Sequence, residues 1–220
     1  GVNKAITEYQ TLVFDCDGVV LNSNRIKTQA FYKATKHYGH DPAQALVDYH
    51  VQHGGISRYL KMEYFLTDIL GKGIVPTELE DLLNRFACAV KDGLLSCEVA
   101  AGLDELRKKT AHTNWLIVSG GDQNELREVF TARGLADYFN GGIFGSPNDK
   151  DKILAREKAN KNIDSNALFL GDSKYDYVAA NKAGLDFVFL SDWTEVKDWQ
   201  FWINENELKS SRNLASSVTL

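Results

Sequence analysis

Thr11-Leu12-Val13-Phe14-Asp15-Cys16-Asp17-Gly18 is the stretch on which the fold turns: four apolar residues in a row, then two acids around a cysteine, then a glycine. A short apolar run bounded by turn residues reads as a strand buried on both faces. Three more such runs follow, Trp115-Leu116-Ile117-Val118, Ala167-Leu168-Phe169-Leu170 and Phe187-Val188-Phe189-Leu190, and Gly142-Ile143-Phe144 is a candidate for another. Segments with a helical pattern lie between them, over 104–110, 124–133, 152–161 and 175–183. Strands alternating with helices predict an α/β fold, a parallel sheet covered on both faces.

Residues 24–93 break this rhythm. They carry no strand pattern but four helical ones, over 25–37, 43–50, 57–70 and 77–92. Pro76, with Thr77, Glu78 and Glu80 behind it, is a helix start with acids at the positive end of the dipole. The stretch therefore reads as an all-helical insertion after the first strand. The expected division is a core of residues 1–20 and 95–220 and a helical unit of residues 21–94, hinged at Gly18 to Ser23 and at Asp92-Gly93-Leu94.

Composition narrows the partners. With 220 residues, 44% hydrophobic and 25% charged, the chain can bury a sizeable core and keep a polar surface. Its formal net charge of -5 argues against nucleic acid, whose phosphate backbone selects for clustered Lys and Arg. Cys16, Cys88 and Cys97 show no CxxC spacing, so neither a disulfide framework nor a zinc knuckle is expected, and a reducing compartment fits. No apolar run approaches the roughly 18 residues of a membrane helix. The opening GVNKAITEYQ lacks a signal-peptide core. The expectation is a cytoplasmic protein with no membrane partner.

Ligands of an open parallel sheet bind beyond the carboxyl ends of its strands. Asp15-Cys16-Asp17-Gly18 falls there, although by itself it reads equally well as a turn. Val118 runs into Ser119-Gly120-Gly121-Asp122, and Leu170 runs into Gly171-Asp172-Ser173-Lys174-Tyr175-Asp176, so three strands end in small, polar and acidic residues. The loop Gly145-Ser146-Pro147-Asn148-Asp149-Lys150 delivers a lysine just before a helix.

In their order and spacing, up to about Leu190, these four segments resemble the haloacid dehalogenase-like superfamily. The branch is the one with a helical cap after the first motif, which includes phosphoglycolate phosphatases and β-phosphoglucomutases. The resemblance implies a Rossmann-like core, a magnesium ion and an aspartyl-phosphate intermediate. Asp15, Asp17 and Asp172 on one edge would repel one another and any phosphate, so a cation that takes hard oxygen ligands is needed there. By resemblance, Asp15 and Asp172 give carboxylate oxygens to the metal, Asp17 gives its backbone carbonyl, and Asp176 supports them from further out. Asp15 is then the nucleophile and Asp17 the general acid and base. Ser119, the backbone amides around Gly120, and Lys150 hold the phosphoryl oxygens. Lys150 is preferred over Lys152, which with Lys174 reads as exposed.

The expected activity is hydrolysis of a small phosphorylated metabolite. A haloacid dehalogenase would lack Asp17. Gly55-Ile56-Ser57-Arg58 resembles the loop of β-phosphoglucomutase whose arginine grips a substrate phosphate, so Arg58 and Ser23 are expected to face the substrate, with an arginine making only a surface contact as the alternative. A hexose-phosphate mutase is thus the competing activity. Two departures oppose it: Lys27 stands near the place of the mutase histidine, and Gly171-Asp172 replaces a Glu-Asp pair. A phosphometabolite-binding module without catalysis is the third reading. Cys16 is expected to pack as a thiol, and His50 and His53 to lie on the cap surface. Trp193, Trp199, Phe201 and Trp202 are expected to pack on the core or to form a dimer contact in a chain that is monomer or homodimer, and the tail beyond Lys209 to be mobile.

Overall fold

The computed structural model describes residues 4–220. Six strands, β1 (Thr11–Phe14), β2 (Asn114–Asp122), β3 (Gly142–Ser146), β4 (Ala167–Gly171), β5 (Asp186–Leu190) and β6 (Lys209–Ser211), form one sheet in the order β3-β2-β1-β4-β5-β6. Every neighbouring pair is parallel. Successive connections leave β1 to opposite sides, so the carboxyl end of β1 lies where the strand order reverses, the place where such sheets form a crevice.

Side chains of a strand alternate between faces, and here the alternation divides the core. Leu12, Phe14, Trp115, Ile117, Leu168 and Leu170 belong to one apolar cluster, whereas Val13, Leu116, Val118, Phe169 and Phe187 belong to another. Trp115 is central to the first: its ring lies 4.7 Å from that of Phe14 and 5.6 Å from that of Phe139. Its indole N–H donates to Thr110 Oγ1 at 3.0 Å, which satisfies the one polar atom it buries.

Between β1 and β2 the chain builds helices α1 (Asn24–Thr35), α2 (His40–Gln52), α3 (Arg58–Tyr64), followed by a π turn over Phe65–Ile69, and α4 (Pro76–Ser96), then the short α5 (Leu103–Lys109). Phe31 and Phe86 stack across α1 and α4 with centroids 4.2 Å apart, and Met62, Phe65 and Leu82 complete the interior of this cap. Its two connections to the sheet are hydrogen bonded to each other: Asn22 N donates to Glu98 O at 2.9 Å and Ala100 N to Val20 O at 2.8 Å.

One expectation changes at the cap. The second hinge, placed at Asp92-Gly93-Leu94, lies inside α4, which runs on to Ser96. Gly93 is there for packing, because a Cβ on it would stand 2.7 Å from Ile26 Cγ2 of α1.

The remaining helices, α6 (Gln123–Ala132), α7 (Lys150–Ala159), α8 (Lys174–Ala183), α9 (Trp199–Glu205) and α10 (Leu214–Ser217), flank the sheet. Trp199 and Trp202 pack on Phe189, at 6.0 and 5.6 Å, while Phe201 is exposed. The tail beyond Lys209, expected to be mobile, instead adds β6 to the sheet and buries Leu214. Lys-Ser-Ser carries no apolar signature, and only the free edge of β5 makes it a strand. Among the described residues no helix is long and apolar enough to cross a membrane.

Trp115→Ala should lower the free energy of unfolding by about 3–5 kcal/mol, the usual cost of emptying so large a core site. A urea titration reads this as an earlier midpoint with an unchanged slope.

Candidate active site

Three strands deliver acids and small residues to one edge. Asp15 follows β1 directly, and its N–H still donates to Leu170 O at 3.0 Å, so the sheet ladder fixes its backbone. Asp172 follows β4, and Asp176 sits in the first turn of α8, where Ser173 caps the helix. Carboxylate oxygens of Asp15, Asp172 and Asp176 lie within 4.8 Å of one another, and all three residues are buried. Asp176 ties the loop down by accepting from Asp172 N at 3.1 Å and Ser173 N at 3.3 Å. Gly18 has φ +80, and a Cβ there would stand 2.0 Å from Asp172 Oδ2, so the turn after β1 admits no side chain.

Lys150, first residue of α7, is the cation of this group. Its Nζ lies 3.2 Å from Asp15 Oδ2 and is hydrogen bonded to Asp176 Oδ1. Lys152 and Lys174 are exposed. Burial, then the charges of Asp176 and Asp172, hold the Asp15 carboxyl well above the usual carboxylate range, with Lys150 offsetting only part. Burial and Asp176 do the same to Asp172, against the amide of Asn24, which donates to its Oδ2 at 2.7 Å. Burial would lower Lys150, but Asp15 and Asp176 outweigh it and its pKa rises. Three carboxylates facing one ammonium leave an excess of two negative charges when all are ionised, the charge that one divalent cation cancels. An all-oxygen donor set in a buried ring suits a hard ion of this kind.

Asp17 stands apart from the acidic ring, with its side chain 17% exposed. Ser23 Oγ donates to its Oδ1 at 2.5 Å, and Lys27 Nζ of α1 lies 2.7 Å from its Oδ2. Burial alone would raise its pKa, but Lys27 and Ser23 outweigh burial and the carboxyl is held below its ordinary value. Ser23, expected against the substrate, is fully buried instead, because its hydroxyl is turned to Asp17.

The cap closes over this edge through backbone. A Cβ on Gly120 would lie 2.3 Å from the carbonyl oxygen of Gly55, and one on Gly55, which has φ +89, would lie 3.1 Å from Lys150 Nζ and 3.2 Å from Ser173 Oγ. Beside Gly120, the buried hydroxyl of Ser119 accepts from Gly121 N at 3.0 Å. A cavity remains between the layers, with Asp15, Asp17 and Asp172 on its core side and Lys27, Arg58 and Lys61 on its cap side. Arg58 lines the cavity, and its guanidinium forms a two-point pair with Glu125 of α6, at 2.6 and 3.0 Å, and lies 4.5 Å over the Phe86 ring.

Lys61 carries no sequence signal of a site, since its helical spacing is that of any amphipathic helix, and Lys27, expected only as a departure from the mutase histidine, is the partner of Asp17. His50, expected on the cap surface, is instead turned inward. It is buried, with its ring on Phe31 at 4.6 Å and Nδ1 2.7 Å from Lys61 Nζ. His53, three residues on, is exposed as expected.

A family model described as a hydrolase, haloacid dehalogenase-like hydrolase, matches residues 9–184. No curated protein matches the chain. Among solved structures, a hydrolase from Pseudomonas syringae is 21% identical with a TM-score of 0.72, covering 94% of this chain and 95% of its own. β-Phosphoglucomutase from Clostridium difficile is 16% identical with a TM-score of 0.70, covering 94% and 92%. A protein described as a predicted phosphoglycolate phosphatase from Haemophilus somnus is 18% identical with a TM-score of 0.65, covering 84% and 87%. At these identities the likeness establishes the fold.

Gly120→Ala should push the cap loop off the core, at a cost of about 1–3 kcal/mol for the overpacked contact. A lower thermal midpoint together with faster proteolysis in the 53–57 loop is the expected result.

Proposed function

The chain belongs to the haloacid dehalogenase-like hydrolase family, and we propose that within it the protein is a magnesium-dependent phosphatase of small phosphorylated metabolites, with α1 to α4 as its cap and the sheet with its flanking helices as its catalytic core. The observation that carries this reading is the cluster of Asp15, Asp172 and Asp176, with Lys150 paired to the first and the third, buried at the crevice of the sheet with an excess of negative charge. A magnesium ion held by the carboxylates of Asp15 and Asp172 and the backbone carbonyl of Asp17 would neutralise phosphoryl oxygens and draw an anionic ester toward an acidic site.

Asp15 attacks phosphorus and carries the phosphoryl group as an aspartyl phosphate. Its backbone is locked in the sheet ladder and its Oδ1 accepts from Cys16 N at 2.7 Å, which leaves Oδ2 as the attacking oxygen. Lys150 holds that oxygen and a phosphoryl oxygen, and Ser119 with the amides around Gly120 receives the others. Asp17 gives the leaving oxygen a proton and later takes one from the attacking water. Lys27, hydrogen bonded to Asp17, favours the ionised form needed in the second step, and the proton that Asp17 gives in the first comes to it from solvent.

Arg58 supports hydrolysis over the mutase reading. A mutase must bind a second phosphate at the far end of its substrate, whereas this guanidinium is already neutralised by Glu125. Retained acids at positions 15, 17 and 172 likewise favour catalysis over mere binding.

With magnesium and an aryl phosphate, the protein should release inorganic phosphate, and Asp15→Asn should lower that rate by a factor on the order of 10³ or more. Equal rates for the two proteins would defeat the assigned nucleophile. In a thermal melt without substrate, magnesium at about 100 times its Kd should add about 2.7 kcal/mol of stability, and Asp172→Ala should abolish the shift.

A further inference from the structure

Three cap cations face the cavity, and two are committed. Lys27 is paired with Asp17 and Arg58 with Glu125. Lys61, on α3, is 1% exposed and has no carboxylate within salt-bridge distance. Its one hydrogen bond is to His50 Nδ1 at 2.7 Å, which fixes the imidazole: Nδ1 accepts, and Nε2–H donates to Thr28 Oγ1 at 3.1 Å. The Thr28 hydroxyl in turn donates to Glu195, at 2.8 and 3.0 Å. Two N–H groups of a buried ammonium are thus left without a protein partner among the described residues, beside the Phe31 ring at 5.5 Å and on the wall of the cavity that Asp15 shares. A buried ammonium left so incompletely bonded costs stability unless a ligand completes it.

We propose that Lys61 anchors a carboxylate on the substrate, so that the preferred substrates are short phosphate monoesters of hydroxy acids. This rests on the phosphatase reading and names its substrate class. The two free N–H donors match the two oxygens of a carboxylate. A second phosphate would bring two negative charges to a single ammonium, and a sugar hydroxyl would offer one oxygen where two donors are free.

Lys61 also titrates in the useful range. Burial, then Lys27 and Lys150, bring its pKa down to about 7, against the opposing pull of Asp17 and Glu195. His50 stays neutral there, its pKa held well below the usual imidazole value by burial, Lys61 and Lys27. A carboxylate needs the ammonium, so KM for a carboxylated ester should rise above about pH 7, while KM for an uncharged isostere should not.

The test compares phosphoglycolate with 2-hydroxyethyl phosphate, which replaces the carboxylate by an alcohol. The wild type should favour phosphoglycolate in kcat/KM by at least about tenfold, and Lys61→Met should bring the ratio to about one, with the loss in KM for phosphoglycolate. A wild type that does not discriminate, or a variant that loses both substrates equally, overturns the assignment. If Lys61→Met does not fold, Lys61→Gln is compared in its place, and a preference for phosphoglycolate that survives in it overturns the assignment. Hydrolysis of neither ester would instead reject the phosphatase reading, and calorimetry of phosphoglycolate binding to the wild type and Lys61→Met would still decide whether Lys61 is the anchor.

Discussion

Three carboxylates buried around a single lysine are the constraint from which the rest of this structure follows. Burial and the neighbouring charges hold Asp15 and Asp172 above the usual carboxylate range, and the protein tolerates the arrangement because the cluster is over-determined. Asp15 is held by the β1–β4 ladder, Asp176 by the capped start of α8, and Asp172 by the Asn24 amide reaching down from α1. Lys150, 1% exposed, is the cation paired with these acids among the described residues. A core of this kind is stabilised elsewhere, by the two apolar clusters on the faces of the sheet, and left incomplete at the one place where a cation and an anionic ligand can finish it.

The cap is held to that edge by backbone contact and by charge pairs that cross the gap. Gly55 and Gly120 let two loops approach to a distance that any side chain would forbid, which seals the site without placing a side chain over it. Lys27 reaches from α1 to Asp17, and Arg58 from α3 to Glu125. The connecting segments hydrogen bond to each other, so the cap is tethered by a paired stem rather than by two loose linkers. A stem of this kind can swing as a unit, which is a more defined motion than independent hinges permit.

The strands and the acids were legible because their signals are local. A run such as Leu12-Val13-Phe14 is apolar on both faces only if it is central in a sheet, and an acid straight after it has few structural reasons to be there. β6 was not legible, since Lys209-Ser210-Ser211 becomes a strand only by pairing with β5. Gly93 looked like a hinge because a glycine in a helix usually marks a break, and only the position of Ile26 shows that the helix continues through it for packing. His50 and Lys61 escaped for the same reason. Eleven residues apart, on separate helices, they become neighbours only when the cap folds, and nothing in either helix's own periodicity distinguishes a surface polar residue from one turned into a cavity.

The division of charge between the two layers gives the closed arrangement a further property. The core edge is acidic and the cap's inner wall is basic, so each layer supplies what the other lacks. Two of the pairs across the gap, Lys27 with Asp17 and Arg58 with Glu125, have side chains no more than 18% exposed, where salt screens weakly and the attraction between layers is strongest. Closing the cap therefore both excludes water and completes the electrostatics in one movement. Of the cap cations only Lys61 is left over from that match, and an uncommitted charge in an otherwise balanced interface is where selectivity for a ligand can be placed without weakening the closure itself.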